Sequence, residues 1–196
     1  MKIDTTSEQF FEDKYRESQD PWSFATSPYE RSRYQAIFQA LQHRRYQSAF
    51  EPGCSIGILT RQLASLCDHV TAMDISPTAV QHAREHCREL SNVTIMCGAL
   101  PNDIPSEDFD LILFSEIGYY FQDSQLFDLA NMLLQRLRED GIILAAHWLG
   151  TSEDHILGGD RVHEILETVP CLKLEHSERH AAFRLDRWVK IGGIGA

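Results

Sequence analysis

From Tyr46 to Trp148 the apolar residues switch repeatedly between two spacings. Short, nearly unbroken apolar runs, YQSAFEP (46–52), HVTAMD (69–74), NVTIMC (92–97), FDLILFS (109–115) and IILAAHW (142–148), read as strands. Between them the apolar positions recur at helical intervals. GILTRQLASLC carries Leu59, Leu63 and Leu66 on one face, and SPTAVQHAREHCREL has Ser76 as its cap and Pro77 at its first position. DSQLFDLANMLLQRLRED predicts a long helix over 123–140 that Gly141 stops. Apolar strands joined by helices predict an α/β fold, a doubly wound, mostly parallel Rossmann-like sheet covered on both faces.

The flanks differ. Ahead of the first strand, SEQFFEDKYRES predicts a short amphipathic helix, and DPWSFATSP a proline-punctuated joint. Pro28 then opens a second helix, PYERSRYQAIFQALQHR. These first 45 residues form a helical N-terminal cap. After the fifth strand, GDRVHEILETV predicts a helix, and CLKLEHSERHAAFRLDRWVKI holds two strand-like runs, an antiparallel C-terminal hairpin closing the sheet. Residues 1–196 are expected to be a single domain: a cap (1–45), a cofactor-binding half (46–150), and an acceptor-side helix and hairpin (151–196).

Composition narrows the function classes. A net charge of −11 with no lysine or arginine cluster speaks against a nucleic-acid groove. The N-terminus is polar and acidic, and the longest apolar run, Ile142 to Ala146, is too short to span a bilayer. Five cysteines, an odd number with no C-x-x-C pair, read as reduced core thiols of a cytoplasmic protein without zinc or disulfides. His82-Ala83-Arg84-Glu85-His86 matches H-x-x-E-H, an inverted zinc-protease signature. Its helix turns Ala79, Val80, Ala83 and Cys87 inward and leaves both histidines on the flank, so no metal is expected.

The chemistry begins at the first strand-to-helix turn, FEPGCSIGIL (50–59). In an open α/β sheet ligands bind beyond the carboxyl ends of the strands, beside this turn. A P-loop needs a lysine that does not follow Gly57. A dinucleotide turn needs G-x-G-x-x-G, and here Ser55 and Ile58 stand at the second and third glycine positions. S-adenosylmethionine carries no phosphate, so its turn tolerates a small polar residue between two glycines. Glu51 suits its cationic part, and the N–H groups of Gly53, Cys54, Ser55 and Gly57 suit its carboxylate. Asp74, 17 residues after Gly57, ends the second strand where an acid takes both ribose hydroxyls.

EPGCSIGILTRQLA, AMDIS and FDLILFSEIGYY resemble three motifs of the class I S-adenosylmethionine-dependent methyltransferases. More narrowly, DPWSFATSPYERSRY, GCSIG and SEIGYYF resemble the nodulation protein S (NodS) family, over roughly residues 15 to 140. Members of that family N-methylate a glucosamine unit of a chitooligosaccharide. The resemblance implies that Gly53, Gly57, Asp74 and Ile75 hold the cofactor and that Trp22 and Arg33 close over its methionine end. A guanidinium grips a carboxylate in bidentate fashion. Many methyltransferases place an Asp on the adenine amino group where this chain has Ala99. Ala99 and Leu100, through backbone or packing, or Asp103 are the candidates there. Ser115, ending the fourth strand, joins the cofactor set.

Methyl transfer is an in-line displacement, so positioning the nucleophile dominates, and one general base helps an amine or a hydroxyl acceptor. Candidates are Glu116 after the fourth strand, His147 at the end of the fifth beside Trp148, and Tyr119 or Tyr120. Asp154 and His155 on the next loop are candidates for acceptor contact. The SEIGY motif lacks the [DNS]-P-P-[YFW] of amino-methylating enzymes of nucleic acids and glutamine, which with the acidic charge excludes a base methylase. The expected partner is a small-molecule acceptor, an amine or hydroxyl of a sugar or similar polar metabolite, with neither nucleic acid nor membrane. The alternatives are a nicotinamide-dependent oxidoreductase and a non-catalytic S-adenosylmethionine-binding module.

Overall fold

The computed structural model describes residues 7–41 and 44–192. The polar start of the chain and residues 42–43 of the second predicted helix lie outside the described residues.

Helix α1 (Glu8–Glu17) and helix α2 (Pro28–Ala40) precede β1 (Tyr46–Pro52), α3 (Ile58–Leu63), β2 (Cys67–Asp74), α4 (Pro77–Cys87) and β3 (Val93–Cys97). Then come β4 (Phe109–Ser115), a one-turn 3₁₀ segment (Gly118–Tyr120), α5 (Asp123–Arg136), β5 (Leu137–Trp148), α6 (Gly159–Glu167), β6 (Leu172–Arg179) and β7 (Phe183–Lys190). The seven strands run in the order β3-β2-β1-β4-β5-β7-β6, with β7 antiparallel to both of its neighbours and every other pairing parallel. From β1 the chain winds first toward β3, then crosses back to β4 and winds the other way. The carboxyl ends of β1 and β4 thus flank the switch point where an α/β sheet opens a crevice.

The strands are apolar on both faces because both are covered. Ile37, Leu41, Leu63, Leu111 and Leu144 are buried on one side, and Phe50, Phe114, Leu126, Leu129 and Val162 on the other. Full burial of such side chains contributes about 1.5–3 kcal/mol each.

The cap is tied on by charge. Glu12 of α1 accepts hydrogen bonds at the start of α4 from Ser76 Oγ (2.6 Å), Thr78 N (3.1 Å) and Thr78 Oγ1 (2.7 Å). Burial works against its ionisation, but the Ser76 and Thr78 hydrogen bonds outweigh it and hold the carboxyl down at about 2.

Three expectations need correction. The long helix ends at Arg136, not at Asp140. Leu137 turns extended to pair with Phe109 and bury itself, because an apolar side chain there completes the core. Gly141 lies inside β5, where an added Cβ would sit 2.7 Å from the Arg138 carbonyl, right after the left-handed Asp140. The helix expected over 57–67 stops at Leu63, and β2 begins at Cys67, which pairs with Tyr46. The thiols are not all core residues either: Cys54, Cys67 and Cys87 are buried, but Cys97 is exposed. Among the described residues no cluster of His, Cys, Asp or Glu could hold a metal ion, and no helix is long and apolar enough to cross a membrane.

Candidate functional site

A cavity of about 460 Å³ opens beyond the carboxyl ends of β1, β2, β4 and β5, roofed by α1, the proline joint and the start of α2. A small inner chamber continues from it, lined by Arg33, Glu51, Cys54, Ser115 and their neighbours; Phe24, Gly53, Ser55 and Glu116 line both.

The glycine turn forms the floor. Gly53 has φ +75°, and a Cβ there would meet Ile117 Cγ2 at 2.3 Å, so only glycine permits this approach. Ser55 is also left-handed, at φ 51°. Its N–H donates to Asp74 Oδ2 (2.8 Å), and its hydroxyl accepts from the Tyr15 hydroxyl of the cap (2.6 Å). The residue between the glycines is therefore the knot joining turn, second strand and cap. Gly57 does not line the cavity. It lets α3 pack on Ala83 of α4, 3.1 Å from where its Cβ would be.

Asp74 lines the cavity and accepts from Ser76 N at 3.0 Å as well as from Ser55 N. Burial pushes its carboxyl up to about 6 against these backbone hydrogen bonds. Each oxygen keeps lone-pair capacity toward the cavity. Ile75, Ala99, Leu100 and Met73 line the apolar wall beside it. Asp103 does not reach this wall; its carboxylate accepts the Ala99 N–H at 2.8 Å. Trp22 stands over the opposite side, edge-on to Tyr15 at 5.4 Å between ring centres.

At the inner end a buried guanidinium and a buried acid meet. Arg33 is 2% exposed and donates to Ser115 Oγ and Glu30 Oε2, with Glu116 Oε1 3.7 Å away. Burial opposes its charge, but Glu116 and Glu30 outweigh this and hold it cationic. Burial pushes the Glu51 carboxyl up to about 8. Arg33 Nε and Glu51 Oε2 are both buried without a close hydrogen-bond partner among the described residues; the buried Thr60 hydroxyl is the neighbour of Glu51 that works against the effect of burial. One orphaned donor and one orphaned acceptor at the end of a glycine-floored cavity are the pair that an α-carboxylate and an α-ammonium complete. S-adenosylmethionine, the cofactor this fold family implies, fits the residues present.

The other end is aromatic and acidic. Glu116 has φ 59°, and its two oxygens accept from Tyr119 Oη and from Trp148 N, both at 2.8 Å. His155 stacks on Tyr119, ring centres 3.6 Å apart, and faces Tyr120 and Trp148 edge-on. It lines the cavity, with Asp154 as its charged neighbour. Burial lowers its pKa, with Asp154 and Glu116 pulling the other way, which leaves it neutral near pH 7. Glu30, Asp74, Glu116 and Asp154 line the cavity, and among the described residues no Lys or Arg does.

His147, expected as a base, lies elsewhere. It is fully buried and does not line the cavity; Gly118 N–H donates to its Nε2 at 3.0 Å, and its Nδ1 lies 3.2 Å from His163 Nε2. Its neighbour Trp148 projects to the cavity instead, as the alternation of a strand requires. Sequence reasoning missed Phe11, Tyr15 and Glu30. Glu30 had a readable signal, three residues before Arg33 on one helix face.

The strand order, the glycine turn between Glu51 and Asp74, and the aromatic cap define the class I S-adenosylmethionine-dependent methyltransferase fold. The family model described as nodulation protein S (NodS) matches residues 5–173, and the chain belongs to that family. The nodulation protein S of Bradyrhizobium diazoefficiens is 33% identical over 105 residues, covering 53% of this chain and 50% of that protein. That of Rhizobium tropici is 28% identical over 156 residues, covering 75% and 64%. The chain thus spans about half to two thirds of the length of these curated relatives. The crystal structure of the N-methyltransferase NodS from Bradyrhizobium japonicum WM9 in complex with S-adenosyl-L-homocysteine has the same fold: TM-score 0.83, 23% identity, 96% of this chain and 99% of that one. A putative methyltransferase from Pseudomonas syringae matches with TM-score 0.74 and 34% identity over 82% and 98% of the two chains.

Proposed function

We propose that the protein transfers a methyl group from S-adenosylmethionine to an amine or hydroxyl of a small, polar, sugar-like acceptor, with N-methylation favoured. The observation that carries this reading is the two-ended cavity. Its inner end holds the buried Glu51 acceptor and Arg33 donor, and its outer end joins the Glu116 carboxylate to the rings of Tyr119, Tyr120, Trp148 and His155. Such a wall suits a cationic amine and repels phosphate or carboxylate acceptors.

Bound S-adenosylmethionine supplies an electrophilic methyl group on its sulfonium. Asp74 holds the ribose hydroxyls, Glu51 the ammonium and Arg33 the carboxylate, while the Met73–Ile75 and Ala99–Leu100 wall packs the adenine. Glu116, fixed at both oxygens, accepts a hydrogen bond from the acceptor N–H or O–H and orients it. Tyr119 serves Glu116 and does not itself take the proton. The proton goes to His155, the cavity-lining imidazole stacked on Tyr119, and not to His147. Trp22, Phe11 and Tyr15 of the cap exclude water from the reacting atoms.

The test is methyl transfer from labelled S-adenosylmethionine to glucosamine and to short deacetylated chitin oligomers, with glucose as the hydroxyl-only control. Label on the amino nitrogen is expected. Label on glucose but not on glucosamine would reverse the N-over-O preference. Cofactor binding with no transfer across a broad panel of amines and alcohols would favour a non-catalytic module.

A further inference from the structure

A buried polar chain lies behind the acceptor end. His147, His163 and Asp186 are each wholly buried. The Gly118 N–H, an obligate donor, points at His147 Nε2 at 3.0 Å, so that nitrogen carries the lone pair and Nδ1 the proton. Nδ1 faces His163 Nε2 at 3.2 Å, which must then accept. His163 therefore carries its proton on Nδ1, 2.7 Å from Asp186 Oδ2, and Arg184 Nε closes the far end at 2.7 Å. One proton arrangement satisfies every link, and a single backbone amide dictates it.

The charges agree with that arrangement. Burial lowers both imidazoles and keeps them neutral. Burial would raise Asp186, but the hydrogen bond from His163 and the nearby Arg184 hold it ionised. The chain ends in one carboxylate against one guanidinium, with two neutral rings between that carboxylate and the turn.

Gly118 opens the 3₁₀ turn that carries Tyr119 and Tyr120, two residues after Glu116. It has no room to shift: a Cβ there would lie 2.4 Å from Val162 Cγ1 and 2.9 Å from His147 Nε2. From the same turn the Tyr119 carbonyl accepts from Ile156 N (2.8 Å) and Leu157 N (3.0 Å), anchoring the loop that bears His155. Packing alone would be met by apolar rings of similar size, whereas two desolvated imidazoles are kept only at a cost in free energy. What they add is direction.

We propose that Gly118 N–H, His147, His163 and Asp186 form a positioning relay. It sets the tyrosine turn and, through Tyr119, the Glu116 carboxylate and the His155 loop against which the acceptor is held. The proposal rests on the methyltransferase reading of the cavity for the purpose of the positioning, not for the relay's existence.

Long-range nitrogen–proton NMR spectra of the wild-type protein with S-adenosylhomocysteine read the tautomers directly. Both His147 and His163 are expected as Nδ1–H tautomers. An Nε2–H tautomer or an imidazolium at either position overturns the relay, without any variant having to fold. Amide exchange then tests the positioning. In His147→Leu, exchange at residues 116–121 is expected to rise roughly tenfold. His147→Gln, whose side-chain carbonyl reaches the Nε2 position, is expected to restore it to within about twofold. S-adenosylhomocysteine affinity should change in neither. Unchanged exchange in His147→Leu, or an equal rise across β5, β7 and α6, overturns the positioning role. Failure of the wild type to bind S-adenosylhomocysteine would instead count against the cofactor reading and leave the tautomer result standing.

Discussion

Glu51→Gln probes the inner end of the cavity. The Glu51 carboxyl is pushed up to about 8 by burial and has an unpartnered oxygen, so at neutral pH it is mostly protonated in the cofactor-free protein. A cofactor ammonium is bound by the carboxylate, so affinity follows the ionised fraction. For a group titrating near 8 that fraction rises about eightfold between about pH 6.5 and 7.5, or ~1.2 kcal/mol. Asp74, pushed up to about 6, adds only about 1.3-fold over the same interval. Calorimetric titration with S-adenosylhomocysteine should therefore show roughly tenfold tighter binding at the higher pH in the wild type, and less than about twofold in Glu51→Gln. The sign for stability is opposite. The folded, cofactor-free protein keeps a proton at Glu51 that the unfolded chain releases near 4.5, so its stability falls as pH rises from there to about 8. The glutamine variant should accordingly melt several degrees higher than the wild type at pH 7.5. A wild-type affinity flat with pH, or an equal slope in the variant, would remove Glu51 from the ammonium site.

Asp74→Ala removes the ribose acceptor and strands the N–H groups of Ser55 and Ser76; S-adenosylhomocysteine affinity should fall on the order of 100-fold, and an unchanged Kd in calorimetry removes the ribose assignment. Arg33→Lys keeps the charge but cannot reach Ser115, Glu30 and the cofactor carboxylate together; affinity should fall about tenfold, and full affinity would return Arg33 to a purely structural role. His155→Phe keeps the stack on Tyr119 without a ring nitrogen. Its turnover with glucosamine should drop about 100-fold at pH 7 and recover above pH 9, where the amine is already neutral, with cofactor affinity unchanged. A loss that is the same at both pH values would remove the proton-accepting role.

The sheet was legible because buried parallel strands leave long apolar runs, and the acid–glycine–acid pattern because a turn at φ +75° admits little but glycine. The helix overrun at Leu137 was not legible: its spacing continues the helical period, and only burial against Phe109 breaks it. His147 was misplaced by one step of strand alternation, since Trp148 and not His147 faces the cavity. His155 sits in a loop, where neither period applies, so its stack on Tyr119 comes only from tertiary structure. The role of Ser55 likewise needed the cap in place, because Tyr15 reaches it from 40 residues away.

The cavity is proposed to hold S-adenosylmethionine as a methyl donor and not a dinucleotide. Side-by-side calorimetric titration of the protein with S-adenosylmethionine and with NADH tests it most directly. One S-adenosylmethionine per chain is expected to bind in the micromolar range, with no heat of binding from NADH. Saturable NADH binding, or no binding of S-adenosylmethionine, would contradict it.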